Sequence, residues 1–384
     1  MRLREYRAKQ VVKKHQKCYN TVVVITQFKI ENFRSFDKFS TKLTSGLNIF
    51  VGKNAQGKTN LLESIYFCGV GKSSRTNKEK ELIKWDKERA RISVELEKQY
   101  NNCKIDVFLS KADKKTIRIN GIPIKRMGEL MGELMVIYFS PDEIRLIKDA
   151  PQDRRRFMDI DISQMSKHYF YLLLRYEKIL NQRNKLLKQT KSLSVLKDML
   201  SVWDSQLAET AGKIIISRIK FITLLSPFAA EIHSYITDGK EDLTLSYQGV
   251  VGKDDKDITE KLLKAYSQSI EKDFDLGYTT VGPHRDDIKV MINDIDIRSF
   301  GSQGQQRLAT LSMKLAELKI FKSEKGETPV LLLDDVLSEL DSARQRRFLD
   351  KIKGLQIILT CTKYDYTLGP NDQKIQIDAT VEFH

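Results

Sequence analysis

The first 140 positions carry their apolar residues in short runs. Val22 to Ile30 is β-branched and apolar enough to predict a strand, and the unbroken LNIFV at 47–51 predicts a second one, buried on both faces. Residues 90–97 (ARISVELE) and 103–109 (CKIDVFL) alternate apolar and polar, and Asn120-Gly121 supplies a hairpin turn. An antiparallel section follows from that pattern, with LMVIYF at 134–139 as a further buried strand. After Pro141 the period lengthens from two to that of a helix. From Gln152 to about Ile236 there are few Gly or Pro residues, and YFYLLLRYEKIL and VLKDMLSVWDSQLAETAGKIIISRI repeat at helical spacing. Two or three helices of about 20 to 30 residues, each about 30 to 45 Å long, predict a compact lobe and no long coiled-coil arm. Strand signals return at 243–247 and 288–292. Residues 329–333, the helix-like DSARQRRFLDKIK and residues 356–361 then read strand, helix, strand, the order of a parallel α/β sheet. No internal repeat or low-complexity segment interrupts this order.

Composition narrows the class. With 384 residues, 41% hydrophobic and 30% charged, and only 7 Pro and 19 Gly, collagen-like and wholly disordered chains are excluded. Apolar runs such as Val22 to Ile25 are far shorter than the ~18 to 20 residues that span a bilayer, so no transmembrane helix is predicted. Lys and Arg number 66 against 51 Asp and Glu, a net +15 that favours polyanions. Nucleic acid leads as partner, although an anionic membrane surface fits the charge equally. The four cysteines form no C-x-x-C pair and the five histidines have no metal-ligand spacing, which predicts a reducing, cytoplasmic setting and no protein-built metal centre. Residues 1–20 hold seven Lys or Arg and one acid without the apolar stretch of a secretory signal. They read as a basic extension, either a solvated arm or a DNA-contacting one.

Between LNIFV and the helical KTNLLESIYF lies Gly52-Lys53-Asn54-Ala55-Gln56-Gly57-Lys58-Thr59, which fits G-x-x-x-x-G-K-[ST] in its strand, loop, helix setting. The glycines let backbone N–H groups curl around phosphates, Lys58 suits the β and γ oxygens, and Thr59, followed by Asn60, offers a hydroxyl to Mg²⁺. ATP with Mg²⁺ is the cofactor this loop predicts. The acid such a site needs is available in VLLLDD at 330–335. Asp334 would support the metal and Asp335 would orient or deprotonate water; a helix-capping pair is the plainer alternative. Asp335 is one methylene shorter than the Glu usual in related ATPases, which predicts slow hydrolysis.

Ser302-Gln303-Gly304-Gln305-Gln306-Arg307 opens a predicted helix and resembles the S-G-G-Q signature of ABC-type ATPases, with Gln303 replacing the first Gly. Ser302 can cap that helix while Gly304 and Gln305 bring its N–H groups toward a phosphate. Ser338-Glu339-Leu340-Asp341 looks like the D-loop of the same superfamily. The switch histidine is missing, and Thr360 and Thr362 stand after the last core strand instead. More than two hundred residues separate the phosphate loop from the signature, as in chromosome-maintenance ATPases.

A closer resemblance is carried by IENFRSF at 30–36, GKNAQGKTNLLE, SSRT…ELI at 73–83, FSPDEIRLIKDAP…RRRFMD at 139–159, GPHRDD at 282–287, SQGQQR and LLLDDVLSELD. Together they are similar to the RecF family of recombination mediators, over nearly the whole chain beyond residue 21. That resemblance implies an α/β ABC-type head with an inserted helical lobe, an ATP-induced homodimer on single-stranded, gapped or duplex DNA, and weak DNA-stimulated ATPase activity. It also implies work with RecO and RecR in loading RecA at gaps, away from membranes. By the same analogy Arg34 lies near the nucleotide and Asp341 reaches across the dimer. Arg154, Arg155 and Arg156 form a cluster that either contacts DNA phosphates or is a solvated or acid-paired helix start. His284 to Asp287 reads as a structural turn or, less simply, as a metal site. The head is expected in two parts, 22–150 and 277–384, around a helical lobe at 151–276. Another SMC- or Rad50-like head and a transporter ATPase subunit are the alternatives.

Overall fold

Contacts divide the chain into two units, residues 1–141 with 317–384 and residues 142–316. The computed structural model describes residues 21–98, 101–252, 257–339, 341–364 and 367–377. The basic extension at 1–20 lies outside the described residues, as does Leu340.

In the first unit the chain enters through β1 (Thr21–Val22), β2 (Val24–Phe33), β3 (Phe36–Lys42) and β4 (Leu47–Val51). Helix α1 (Lys58–Val70) follows, then β5 (Arg89–Glu97), β6 (Cys103–Ser110), β7 (Thr116–Ile119), β8 (Ile122–Pro123) and β9 (Val136–Phe139). Six of these strands form an antiparallel sheet in the order β3-β2-β5-β6-β7-β8, closed at one end by the Asn120-Gly121 turn, where both residues have positive φ. One face of that sheet is apolar: Ile25, Phe28, Ile30, Ile92, Val94, Ile105 and Val107 are buried, and their polar neighbours in sequence point the other way.

The second unit holds α2 (Pro151–Met165), α3 (Lys167–Gln189), α4 (Leu193–Ile236), β10 (Leu243–Gln248), α5 (Ile258–Leu276), β11 (Asp287–Ile292), β12 (Ile295–Asp296) and the start of α6 (Gln303–Lys325). Its strands make a three-stranded antiparallel sheet, β10-β11-β12. Two expectations need correction here. The helices are not of similar length: α4 runs 44 residues, about 66 Å, and continues through Pro227. The breaks fall instead at Ser166, whose hydroxyl caps α3, and at Thr190–Ser192. Residues 277–316 also belong with 142–276 rather than with the C-terminal part, because β11 pairs along its whole length with β10.

The chain returns to the first unit with β13 (Glu327–Thr328), β14 (Val330–Asp334), α7 (Ser342–Lys351), β15 (Ile357–Cys361) and β16 (Gln373–Gln376). A five-stranded, all-parallel sheet results, in the order β16-β4-β15-β14-β9. Every residue of β4, β9, β14 and β15 is buried, as expected of parallel strands covered on both faces. Register places Asp334 beside Thr360 and Thr360 beside Phe50, so the acid and the loop that begins at Gly52 leave the same edge of the sheet.

Candidate functional site

Helix α1 starts without a side-chain cap. Gly57 occupies the cap position at φ 82°, where a Cβ would lie 2.6 Å from the Ser35 hydroxyl and 2.7 Å from the Phe36 ring. Only glycine meets both demands, and its freedom leaves the first N–H groups of α1 turned toward the loop. The Gln56 carboxamide braces the loop by accepting the Lys53 N–H at 2.5 Å, while Asn54 and Ala55 are exposed. Lys58 is buried, and its Nζ donates to the carbonyls of Gly52 (2.5 Å) and Lys53 (2.8 Å).

Asp334 lies at the end of β14, 6% exposed. Its Oδ1 accepts the hydroxyls of Thr59 (3.1 Å) and Thr360 (2.7 Å), and Oδ2 accepts Tyr138 Oη–H at 3.3 Å. Thr59 and Asp334 thus put a hydroxyl and a carboxylate side by side at the helix start, the hard oxygen donors that suit Mg²⁺ held together with a nucleotide's phosphates. Asp335 turns at φ 51°, and its N–H donates to the Thr360 carbonyl at 3.1 Å. Thr360 therefore orders the acid pair from below, whereas Thr362 is exposed.

The sequence reading named Arg34 and Asn60 but missed Glu63, the residue that Arg34 pairs with. Glu63 sits fully buried one turn beyond Thr59 and accepts both Nε (3.0 Å) and Nη2 (2.9 Å) of Arg34, along with the Ser73 hydroxyl. Arg34 also donates Nη1 to the Glu81 carbonyl at 2.9 Å, while Arg75 Nη1 donates to Asn60 Oδ1 at 3.1 Å. Arg34 and Arg75 are thereby fixed on the exposed flank of α1. The apolar surroundings in NLLESIYF were the available signal, since a Glu inside a fully buried helix needs a partner.

In the second unit Ser302 and Gln305 form a reciprocal cap: Ser302 Oγ accepts the Gln305 N–H (3.2 Å) and Gln305 Oε1 accepts the Ser302 N–H (3.0 Å). Ser302, Gln303 and Gly304 are exposed, which leaves this helix start open to an anion. Asp341, in the first unit, caps α7 by accepting the Arg344 N–H at 2.9 Å.

Arg154 is a correction. It is 1% exposed, and its guanidinium holds Asp287 through Nε (2.5 Å) and Nη2 (3.0 Å) while Nη1 donates to the carbonyls of Leu146, Ile147 and Asp149. It cannot contact DNA, because Arg154 shares a helix face with buried Phe157, Met158 and Asp161. Arg155 is half-buried and donates to the Asp286 carbonyl at 2.8 Å; Arg156 is exposed.

His284 and Asp286 are structural too. His284 Nδ1 accepts the Tyr176 hydroxyl at 2.7 Å and Nε2 faces the Thr279 carbonyl at 3.0 Å, and burial lowers it to about 4. Burial raises Asp286 to about 6, although the Tyr247 hydroxyl and Arg218 oppose this. The signs differ. Asp286 binds its proton more tightly when folded, so its contribution is full below about 4 and lost as pH rises through about 6. His284 binds its proton less tightly when folded, so its contribution is present above about 6.5 and lost as pH falls toward about 4. Between these limits the two slopes oppose each other. Asp286→Asn therefore makes melting temperature fall more steeply than in the parent between pH 6.5 and 4.5; parallel curves would contradict this assignment.

Among the described residues no helix is long and apolar enough to cross a membrane, and no group of His, Cys, Asp and Glu could by itself hold a metal ion. The family model of the RecF/RecN/SMC N-terminal domain matches residues 24–378. The DNA replication and repair protein RecF of Clostridium acetobutylicum is 46% identical over 333 residues, covering 87% of this chain and 91% of that one. A solved structure of the recombination mediator RecF with ATP matches with a TM-score of 0.85 and 36% identity, over 93% of this chain and 98% of that one. An SMC head bound to the C-winged helix domain of ScpA, at 16% identity and a TM-score of 0.52, covers 88% of this chain and 89% of its own and shares the fold.

Proposed function

Because this chain belongs to the RecF/RecN/SMC family of ATPases, and within it to the RecF proteins of DNA replication and repair, we propose that it is an ATP-switched DNA clamp. The observation that carries this reading is the pairing of Thr59 with Asp334 at 3.1 Å beside a glycine-capped phosphate loop. When bound, Mg²⁺ would neutralise phosphate charge there, with Thr59 and Asp334 as the residues that hold it. Lys58 gives up its two carbonyl partners for the β and γ oxygens. The open helix start at Ser302 receives the γ-phosphate held by a second copy of the chain, so that nucleotide binding and dimerisation are one equilibrium. Asp335 orients water, and with its short side chain the hydrolysis is slow and serves to reopen the dimer. Arg34, fixed by Glu63, borders the nucleotide, and Asp341 faces the partner.

DNA retention rests on the +15 charge. Lys29, Lys38, Lys42, Arg89 and Arg118 lie on the polar face of the six-stranded sheet, where Glu31 stands opposite Lys38 and Asp106 opposite Arg118. The clamp serves single-stranded, gapped and duplex substrates and acts with RecO and RecR to load RecA at gaps. Ser302→Arg tests the switch. It should bind ATP about as tightly as the parent yet stay monomeric in sedimentation, because a bulky cation occupies the phosphate's place at the helix start. A Ser302→Arg protein that dimerises with ATP would sink the trans-signature reading.

A further inference from the structure

Helix α4 ends at Ile236, and Asp238 (φ 57°) and Gly239 (φ 70°) turn the chain back at once. The Gly239 N–H closes the turn on the Ser234 carbonyl at 2.8 Å. This return brings Glu241 against His233, which is fully buried near the end of α4. Glu241 Oε2 faces His233 Nε2 at 3.0 Å, and His233 Nδ1 lies 3.1 Å from the Ser312 hydroxyl on α6. The other carboxylate oxygen, Oε1, accepts the side-chain N–H of Gln305 at 3.0 Å.

That last bond bears on the signature. The Gln305 amide has an oxygen end and a nitrogen end of nearly equal shape, and only its surroundings decide which way it points. With Glu241 taking the nitrogen, the oxygen must face the Ser302 N–H, as it does at 3.0 Å. Without that acceptor the amide is free to flip or swing away, and the reciprocal cap loses one of its two bonds. The first turn of α6 then frays where its N–H groups should converge on a phosphate. His233 in turn holds Glu241, its Nε2 lying 3.0 Å from Oε2, while burial lowers the imidazole pKa and Glu241 opposes that shift.

We propose that Glu241 is a positioning residue for the signature, held by His233 and acting through the Gln305 amide on the helix start that receives the partner's nucleotide. This rests on the reading of Ser302 as a trans contact. It also gives the long helix α4 a direct polar route to the signature, within one unit of the fold.

The test compares Glu241→Ala, Glu241→Gln, Gln305→Ala and the Glu241→Ala/Gln305→Ala double variant, with Ser302→Arg as control. Three quantities are read: affinity of the monomer for a fluorescent ATP analogue, the ATP concentration at half-dimerisation in sedimentation, and melting temperature. Glu241→Ala should raise the half-dimerisation concentration about tenfold, the effect of a lost charge-assisted hydrogen bond, with monomer affinity within about twofold of the parent. Glu241→Gln, whose carbonyl still accepts from Gln305, should return it to within about twofold. Gln305→Ala should match Glu241→Ala, and the double variant should be no worse than either. Normal dimerisation of Glu241→Ala, alongside a monomeric Ser302→Arg, would overturn the positioning role alone, whatever happens to melting temperature. Failure of Glu241→Gln to rescue, or additive losses in the double variant, would overturn it too. Dimerisation of Ser302→Arg would instead bring down the trans-signature reading and this inference with it.

Discussion

Lys58→Met abolishes ATP binding at concentrations that saturate the parent, a loss of at least about 100-fold. The buried Nζ has two bonds, to the Gly52 and Lys53 carbonyls, and both belong to the loop that must wrap the phosphates. Methionine fills a similar volume but donates nothing. It removes the buried cation of the loop and leaves two carbonyls turned toward an incoming polyanion. A charge-assisted hydrogen bond contributes about 1.5 to 3 kcal/mol, and two such bonds to phosphate oxygens exceed the roughly 2.7 kcal/mol that 100-fold requires. Titration with a fluorescent nucleotide settles the point, and affinity within about threefold of the parent would refute the assignment.

Arg183→Met acts on stability instead, and the expected loss is about 3 to 5 kcal/mol. The Arg183 side chain is completely buried in the second unit, donating to Asp204 (2.6 Å), Asp273 (2.7 Å) and Thr279 (2.9 Å), with the Tyr266 ring 5.4 Å from its guanidinium carbon. Three helices and the segment that follows α5 meet on this one cation. Burial already raises Asp204 against the pull of Arg183, so removing the cation strands two carboxylates that are costly to keep charged. Urea unfolding followed by circular dichroism should show the loss, and adding Asp273→Asn should recover part of it. A loss below about 1 kcal/mol would mean that the cluster is far better solvated than its burial indicates.

What could be read from sequence followed the range over which its physics acts. LNIFV, VLLLDD and the glycine loop are local patterns, and each kept its element and its bounds nearly unchanged. The fold class was legible for the same reason. Helix α5 went unread although Leu262, Tyr266 and Ile270, three of its buried residues, recur at the i, i+4 spacing of a helix. Of the two readings of the arginine triplet, Arg154 takes the acid-paired one, and the spacing from Arg154 to Phe157 and Asp161 already put it on the buried side of its helix. Glu63 with Arg34, and Glu241 with Gln305, join residues 29 and 64 positions apart, and no periodicity predicts which distant carboxylate meets which donor. Residue type announced the Thr59 and Asp334 pairing across 275 positions only because phosphate chemistry demands both groups.

The most direct test of an ATP-switched clamp is sedimentation mass in Mg²⁺ with no nucleotide, with ADP and with ATP, each with and without a short gapped duplex at moderate salt. The protein should be a monomer without nucleotide and with ADP, and a dimer that retains the duplex with ATP. A mass and a DNA retention that ignore ATP would contradict this and leave a DNA-binding protein whose nucleotide is not a switch.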